Sequence, residues 1–174
     1  VNVTNPSSPT EEFFISDVNS IWRDVKTWGN YAYVTTEANA GLLIVDLTDM
    51  TGNTYSHVTQ FTNNNGGSVS FTSAHDIYID ENGIAYIFGA GGSGPQSNGA
   101  IFLDVDANPT NPVYLGEWSD EYIHDGMVRG DTMYAGCIYA GKVFIVDVSN
   151  KTNPVTLGSA TTPNAFTHNA WVSD

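Results

Sequence analysis

Apolar residues in this chain come in short runs: YAYVTT (31–36), LLIVDL (42–47), AYIFGA (85–90), AIFLDV (100–105), MYAGCI (133–138) and KVFIVDV (142–148). Clusters of Gly, Asn, Asp, Ser and Thr separate them. Runs this brief, rich in β-branched and aromatic residues and bounded by turn formers, are strand signals. No stretch between them carries helical periodicity of useful length. The runs also recur in a fixed order. A first strand (DVKTW, DIYID, DGMVR) meets a turn (GN, ENG, GD), and a second strand holds a tyrosine. After another turn comes the most apolar strand, then a polar loop and an outer strand (PVYLGEW, PVTLGS).

Three landmarks keep register through the copies. Asp24, Asp76, Asp125 and Asn169 are spaced by 52, 49 and 44 residues, the period of propeller blades, ~40–50 residues. Tyr33, Tyr86 and Tyr134 follow those aspartates by 9, 10 and 9 residues, and Asp46, Asp104 and Asp147 close the next runs. The middle copy carries its extra length in the glycine-rich GAGGSGPQSNG (89–99), where a strand frame with variable loops would put it. The pattern predicts an all-β chain, a β-propeller segment of four-stranded antiparallel blades. Complete blades are expected at about 21–66, 74–119 and 122–159, with partial blades at 1–20 and 166–174. VNVTNPSSP at the start aligns without a gap on VDVSNKTNP (146–154), and THNAWVSD on IHDGMVRG. The expectation is therefore an internal fragment of a larger closed propeller. The expected core is Tyr33, Leu43, Val45, Tyr86, Ile101, Leu103, Tyr134, Val143 and Ile145. Residues 47–74 insert a long polar stretch between blades, expected as a surface hairpin or a mobile loop and as a candidate partner-binding feature.

Charge narrows the partners. Five Lys+Arg against nineteen Asp+Glu give a net charge of −14 among 174 residues, 41% of them hydrophobic. Such a surface repels a phosphate backbone, which sets nucleic acid aside. The runs fall far short of the ~20 apolar residues of a membrane-spanning helix, so no transmembrane segment is expected. Acidity with little Lys and much Asn, Thr, Ser and Gly suits a secreted or surface protein. Cys137, alone among strand residues, reads as a buried inert thiol.

Candidate chemistry gathers where the first strands begin. Arg23-Asp24, His75-Asp76, His124-Asp125 and His168-Asn169 occupy equivalent positions, and the first strand of a propeller blade is innermost, so these residues should ring one mouth of the channel. A motif built once per repeat is usually frame. The pairs then read as hydrogen-bond clamps between blades, although converging imidazoles and carboxylates could hold a divalent metal or a polar ligand. Adjacent strand residues point to opposite faces, so both members share one ligand only if the strand has not yet begun. Asp104, Asp106 and Asn108 alternate as at the start of a calcium loop, but without its glycine and distal glutamate; an Asx-type turn is the competing reading. Calcium thus stays open as a ligand, and no other cofactor is expected. The glycine-rich 89–99 lacks the Lys-Ser/Thr and following helix of a phosphate cradle. His57, inside the insertion, reads as solvated. Trp22 and Trp171 flank first strands and could stack on sugar rings or wedge between blades.

LLIVD, FIVDVSNKTNPVTLG and AHDIYIDENGIAYI, recurring in order over nearly the whole chain, resemble the LVIVD repeat. The His-Asp and His-Asn openings are similar to those of the choice-of-anchor B family of bacterial surface propellers. The resemblance implies an extracellular or cell-surface location and carries no catalytic signature onto any residue. Arg23 in place of His and Asn169 in place of Asp depart from the pattern. The expected function is a non-enzymatic scaffold binding a protein or glycan through the loops of one face. Two alternatives stay open: a polysaccharide hydrolase or lyase using Asp76, Asp125 or His124 as acid or base, and a structural component of a larger surface assembly.

Overall fold

The computed structural model describes residues 1–92 and 98–173. Three four-stranded antiparallel meanders follow one another along the chain. The first contains β1 (Arg23–Trp28), β2 (Tyr31–Thr36), β3 (Leu42–Asp46) and β4 (Tyr55–Val58). A hairpin of β5 (Gln60–Thr62) and β6 (Ser68–Ser73) comes next. The second meander is β7 (Asp76–Ile79), β8 (Ile84–Phe88), β10 (Ala100–Asp104) and β11 (Val113–Trp118), with the two-residue β9 (Gly91–Gly92) pairing to β6. The third is β12 (Asp125–Arg129), β13 (Thr132–Cys137), β14 (Lys142–Asp147) and β15 (Val155–Thr161). The first strand of each meander is innermost, β7 lying against both β1 and β12. This is the blade arrangement of a propeller, and the described residues contain no helix beyond a 3₁₀ turn at Pro163–Ala165.

Turn chemistry sets the meanders. The loop joining first to second strand carries a glycine at positive φ in every copy: Gly29, Gly83 and Gly130. At Gly83 a Cβ would also meet the Trp28 ring at 2.6 Å, so only glycine lets the first two blades approach there. The polar loop after the third strand is a double Asx turn. Asp46 accepts from the Thr48 amide and Asp49 from Thr51; Asp147 accepts from Ser149 and Asn150 from Thr152. Asn2 and Asn5 repeat it near the chain start, with Thr4 and Ser7 as donors.

Core residues lie between blades. Tyr33, Leu42 and Ile44 of the first meet Ile77, Ile87, Ile101 and Leu103 of the second. Tyr86, Phe88, Phe102 and Trp118 of the second meet Val128, Met133, Ala135 and Val146 of the third. The middle sheet is thus buried on both faces, which is why its strands are apolar without alternation. Specific bonds cross the same seams: Trp28 Nε1 donates to Asp106 at 3.0 Å, Tyr33 Oη to Pro109 O at 3.0 Å, and Trp118 Nε1 to Thr156 at 3.0 Å.

Three expected core residues fall elsewhere. Tyr134 and Val143 are half-buried and Ile145 is exposed. In β14, Phe144 and Val146 face the second blade, so Val143 and Ile145 point to the opposite face, as Tyr134 does opposite Ile145. The first sheet ends at Val58, and the insertion forms the β5–β6 hairpin outside it. That hairpin is anchored rather than loose: Phe61 and Phe71 are fully buried and stack with centroids 5.3 Å apart. The centre of the glycine-rich connection, 93–97, lies outside the described residues.

Candidate functional site

The innermost strands begin at Asp76 and Asp125, so His75 and His124 sit just before the strand, where alternation does not yet separate neighbours. Both members of a pair can therefore face one site. Arg23, Asp24, His75, Asp76, Asp125, His168 and Asn169 line a single cleft of about 340 Å³, together with Trp22 and Lys26. His124 packs beside them, its ring centroid 3.9 Å from that of His75 and 4.0 Å from that of His168. The repeat position thus brings all eight expected residues to one mouth.

Their roles differ. Asp76 clamps: one carboxylate oxygen accepts the Ile77 amide, the other the Gly126 amide of the third blade at 3.3 Å. His75 reaches the first blade through Nδ1, 2.7 Å from Glu37 Oε1, and its Nε2 stands 3.7 Å from Asp125 Oδ1. His168 Nδ1 lies 2.9 Å from Asp125 Oδ2. His124 makes no clamp. Its Nδ1 is fully buried without a hydrogen bond, 3.3 Å from Asp125 Oδ1 but not aligned with it. Arg23 turns to Asp17 at 2.7 Å and to the Val18 carbonyl, pinning the segment before β1.

Burial and crowding shift the titrating groups. Desolvation, then the bond to Asp24 and the charges of Asp24 and Asp125, push Asp76 up to about 7. Desolvation opposes ionisation of Asp24 too, but bonds from Asp76 and Lys26 outweigh it and hold Asp24 below the usual range. The two carboxyls share one proton, the arrangement expected where like charges meet. Desolvation and the neighbouring His75 and His168 lower His124.

Glu37 and Lys26 were not singled out from sequence. Lys26 had a signal, since it lies two residues beyond Asp24 on the same strand face; Glu37 had none, being brought in by the turn after β2. The calcium-like run is spent on turns: Asp104 accepts from Ala107, Asn108 from Asn111, and Asp106 from the Trp28 indole. His57 is exposed, as expected, but its ring has partners. It lies on β4 with Nδ1 3.2 Å from Ala40 O and Nε2 3.4 Å from Asp17. Cys137 is buried in the seam between the second and third blades, and burial pushes its thiol up to about 12, consistent with an inert side chain. Trp22 stays half exposed beside His75, and Trp171 contacts Tyr78 edge-on.

The LVIVD repeat family model matches residues 22–54 and 137–162, the first blade and the outer strands of the third. The chain carries LVIVD repeats over these two segments. Among solved structures, one similar to it is a Bacteroides fragilis protein assigned as a 6-phosphogluconolactonase, with a TM-score of 0.57 and 11% identity. The match covers 80% of this chain and 38% of that one, and at this identity it speaks for the propeller fold alone. No curated protein matches the chain. At the head of its innermost strand, Asp76 bonds the second blade to the third through the Gly126 amide.

Proposed function

We propose that this LVIVD-repeat chain is a non-enzymatic propeller scaffold that binds a protein or glycan at the face where the innermost strands begin. The observation that carries it is convergence: residues of successive blades meet in one cleft with Trp22, a half-exposed indole, among its lining residues. An indole beside carboxylates and imidazoles suits the apolar face and hydroxyls of a sugar. The resemblance to choice-of-anchor B proteins and the acidic composition support a bacterial cell-surface or secreted location. No helix among the described residues is long and apolar enough to cross a membrane.

A polysaccharide-cleaving enzyme is the second reading, favoured by one feature. Asp76 near neutrality is a carboxylic acid able to donate a proton. Against it, both Asp76 oxygens already accept backbone amides. The activity in the neighbour's name finds no support here either: a phosphorylated sugar lactone would enter a cleft whose two cations are already paired with Asp17 and Asp24. Purified chain screened against a glycan panel separates the readings. Retention without product supports the scaffold; product release that vanishes in Asp76→Asn supports the enzyme.

A further inference from the structure

We propose that His75, His124 and Asp125 form a binding site for a divalent transition metal of the zinc class, with Glu37 and His168 holding the ligands in place. The inference concerns the same channel-mouth site as the proposed function, but it stands on the ligand geometry and not on any partner. One ligand atom from each of the three residues lies within 4.8 Å of the others. Metal bonds of about 2.0–2.1 Å put neighbouring atoms of a tetrahedral shell roughly 3.3–3.4 Å apart. Asp125 Oδ1 stands 3.3 Å from His124 Nδ1 and 3.7 Å from His75 Nε2, so the groups need only small movements to share an ion.

The surroundings have the form that metal ligands require. A ligating imidazole typically donates its other N–H to a carboxylate, which fixes its tautomer. His75 does this, its Nδ1 bonded to Glu37 Oε1 at 2.7 Å while Nε2 faces Asp125. The ligating carboxylate is held in turn, Asp125 Oδ2 meeting His168 Nδ1 at 2.9 Å. His124 Nδ1 supplies an independent indication. It is a fully buried ring nitrogen with no hydrogen-bond partner, directed at Asp125 without the alignment of a bond. Such an orphan costs free energy unless something accepts it, and a cation beside a neutral imidazole would. Imidazole and carboxylate ligands select zinc and its neighbours over calcium or magnesium, which take oxygen shells. Three protein ligands leave a fourth position for water or a ligand, and His75 and Asp125 line the cleft from which it would come. The local charge agrees, since Asp24, Asp76 and Asp125 face the same space.

The test uses tag-free chain, stripped with chelator and titrated with zinc chloride, then with cobalt chloride for its visible spectrum. Expected are one zinc retained per chain after dialysis, a raised melting temperature, and the cobalt absorption of a site with nitrogen and oxygen ligands. His75→Gln and His124→Gln should each abolish retention, and His57→Gln should leave it intact. Glu37→Gln should weaken binding about ten- to a hundredfold without abolishing it, as loss of a ligand-orienting partner does. Should a glutamine variant fail to fold, imidazole NMR of the unaltered chain decides: zinc must move the His75 and His124 resonances and spare His57. Absence of retained metal, or retention unchanged by both His75→Gln and His124→Gln, overturns the proposal. Running the glycan panel with and without zinc keeps the two readings apart, because metal retained without any glycan bound sinks only the scaffold reading.

Discussion

At the scale of single residues, the aspartates that recur in this chain do different work at each position. Asp80 sits at the first turn of the second blade, 3% exposed, with its carboxylate accepting the Asn82 and Ile84 amides and the Tyr86 hydroxyl at 3.0 Å. Burial and that charge push the Tyr86 phenol far above its usual range, so it stays a donor at any ordinary pH. Tyr86→Phe should cost roughly 1.5–3 kcal/mol, the range for a hydrogen bond to a charged group. Urea unfolding of the two chains measures it, and a difference below about 0.5 kcal/mol would mean that water replaces the hydroxyl. The sequence located Tyr86 and the repeat's aspartates because spacing alone identifies them. It could not separate Tyr86 from Tyr134. Both occupy the same repeat position, but Tyr86 faces a neighbouring blade and Tyr134 lies on the opposite face of the third sheet from the one packed on the second.

At the scale of elements, the four-stranded order was legible because runs and turns alternate so regularly, and the residues heading each innermost strand followed from register. The insertion was legible only as a choice between a surface hairpin and a mobile loop. In TQFTNNNGGSVSFTS the apolar residues Phe61, Val69 and Phe71 are few and widely spaced, so the stretch reads as polar and does not decide between the two or reveal the anchoring. Folding pairs Phe61 with Val69 across β5 and β6 and places the Phe61 and Phe71 rings in the seam between the first two blades. Asn63 caps the turn by accepting the Asn65 and Gly67 amides. Phe61→Ala or Phe71→Ala should therefore destabilise the whole chain by about 3–5 kcal/mol, the cost of emptying a buried aromatic site. A mobile insertion would lose almost nothing. Thermal melts of the two variants distinguish the cases, and protease cutting between residues 60 and 73 in the variants but not the parent would show the hairpin detaching first.

At the scale of the whole molecule, packing the innermost strands side by side concentrates charge that the sequence spreads over a hundred residues. Asp24, Asp76 and Asp125 come from three blades, and their mutual repulsion is relieved by a proton held on Asp76. The folded chain therefore binds that proton up to about pH 7, whereas the unfolded carboxyl releases it near 3.8. Between those values the native state holds more protons than the unfolded one, so this group's contribution to stability is greatest at the acid end and is lost as pH rises through 7. Two neighbours act in the opposite sense. His124, lowered by burial and by His75 and His168, contributes stability above about 6.5 that is lost as pH falls. Asp24, held low by its bonds, contributes stability above 3.8 that is lost as pH falls below it. The Asp76 effect must then be read as a difference between two chains. Asp76→Asn keeps an oxygen for the Gly126 amide and a donor for Asp24, but has no proton to lose. In chelator-treated protein the parent should lose stability relative to Asp76→Asn from pH 6 to pH 8, and the gap should stop widening once Asp76 is fully ionised. Parallel pH profiles for the two chains would mean that Asp76 is already ionised at pH 6 and that the blades meet across two separate charges.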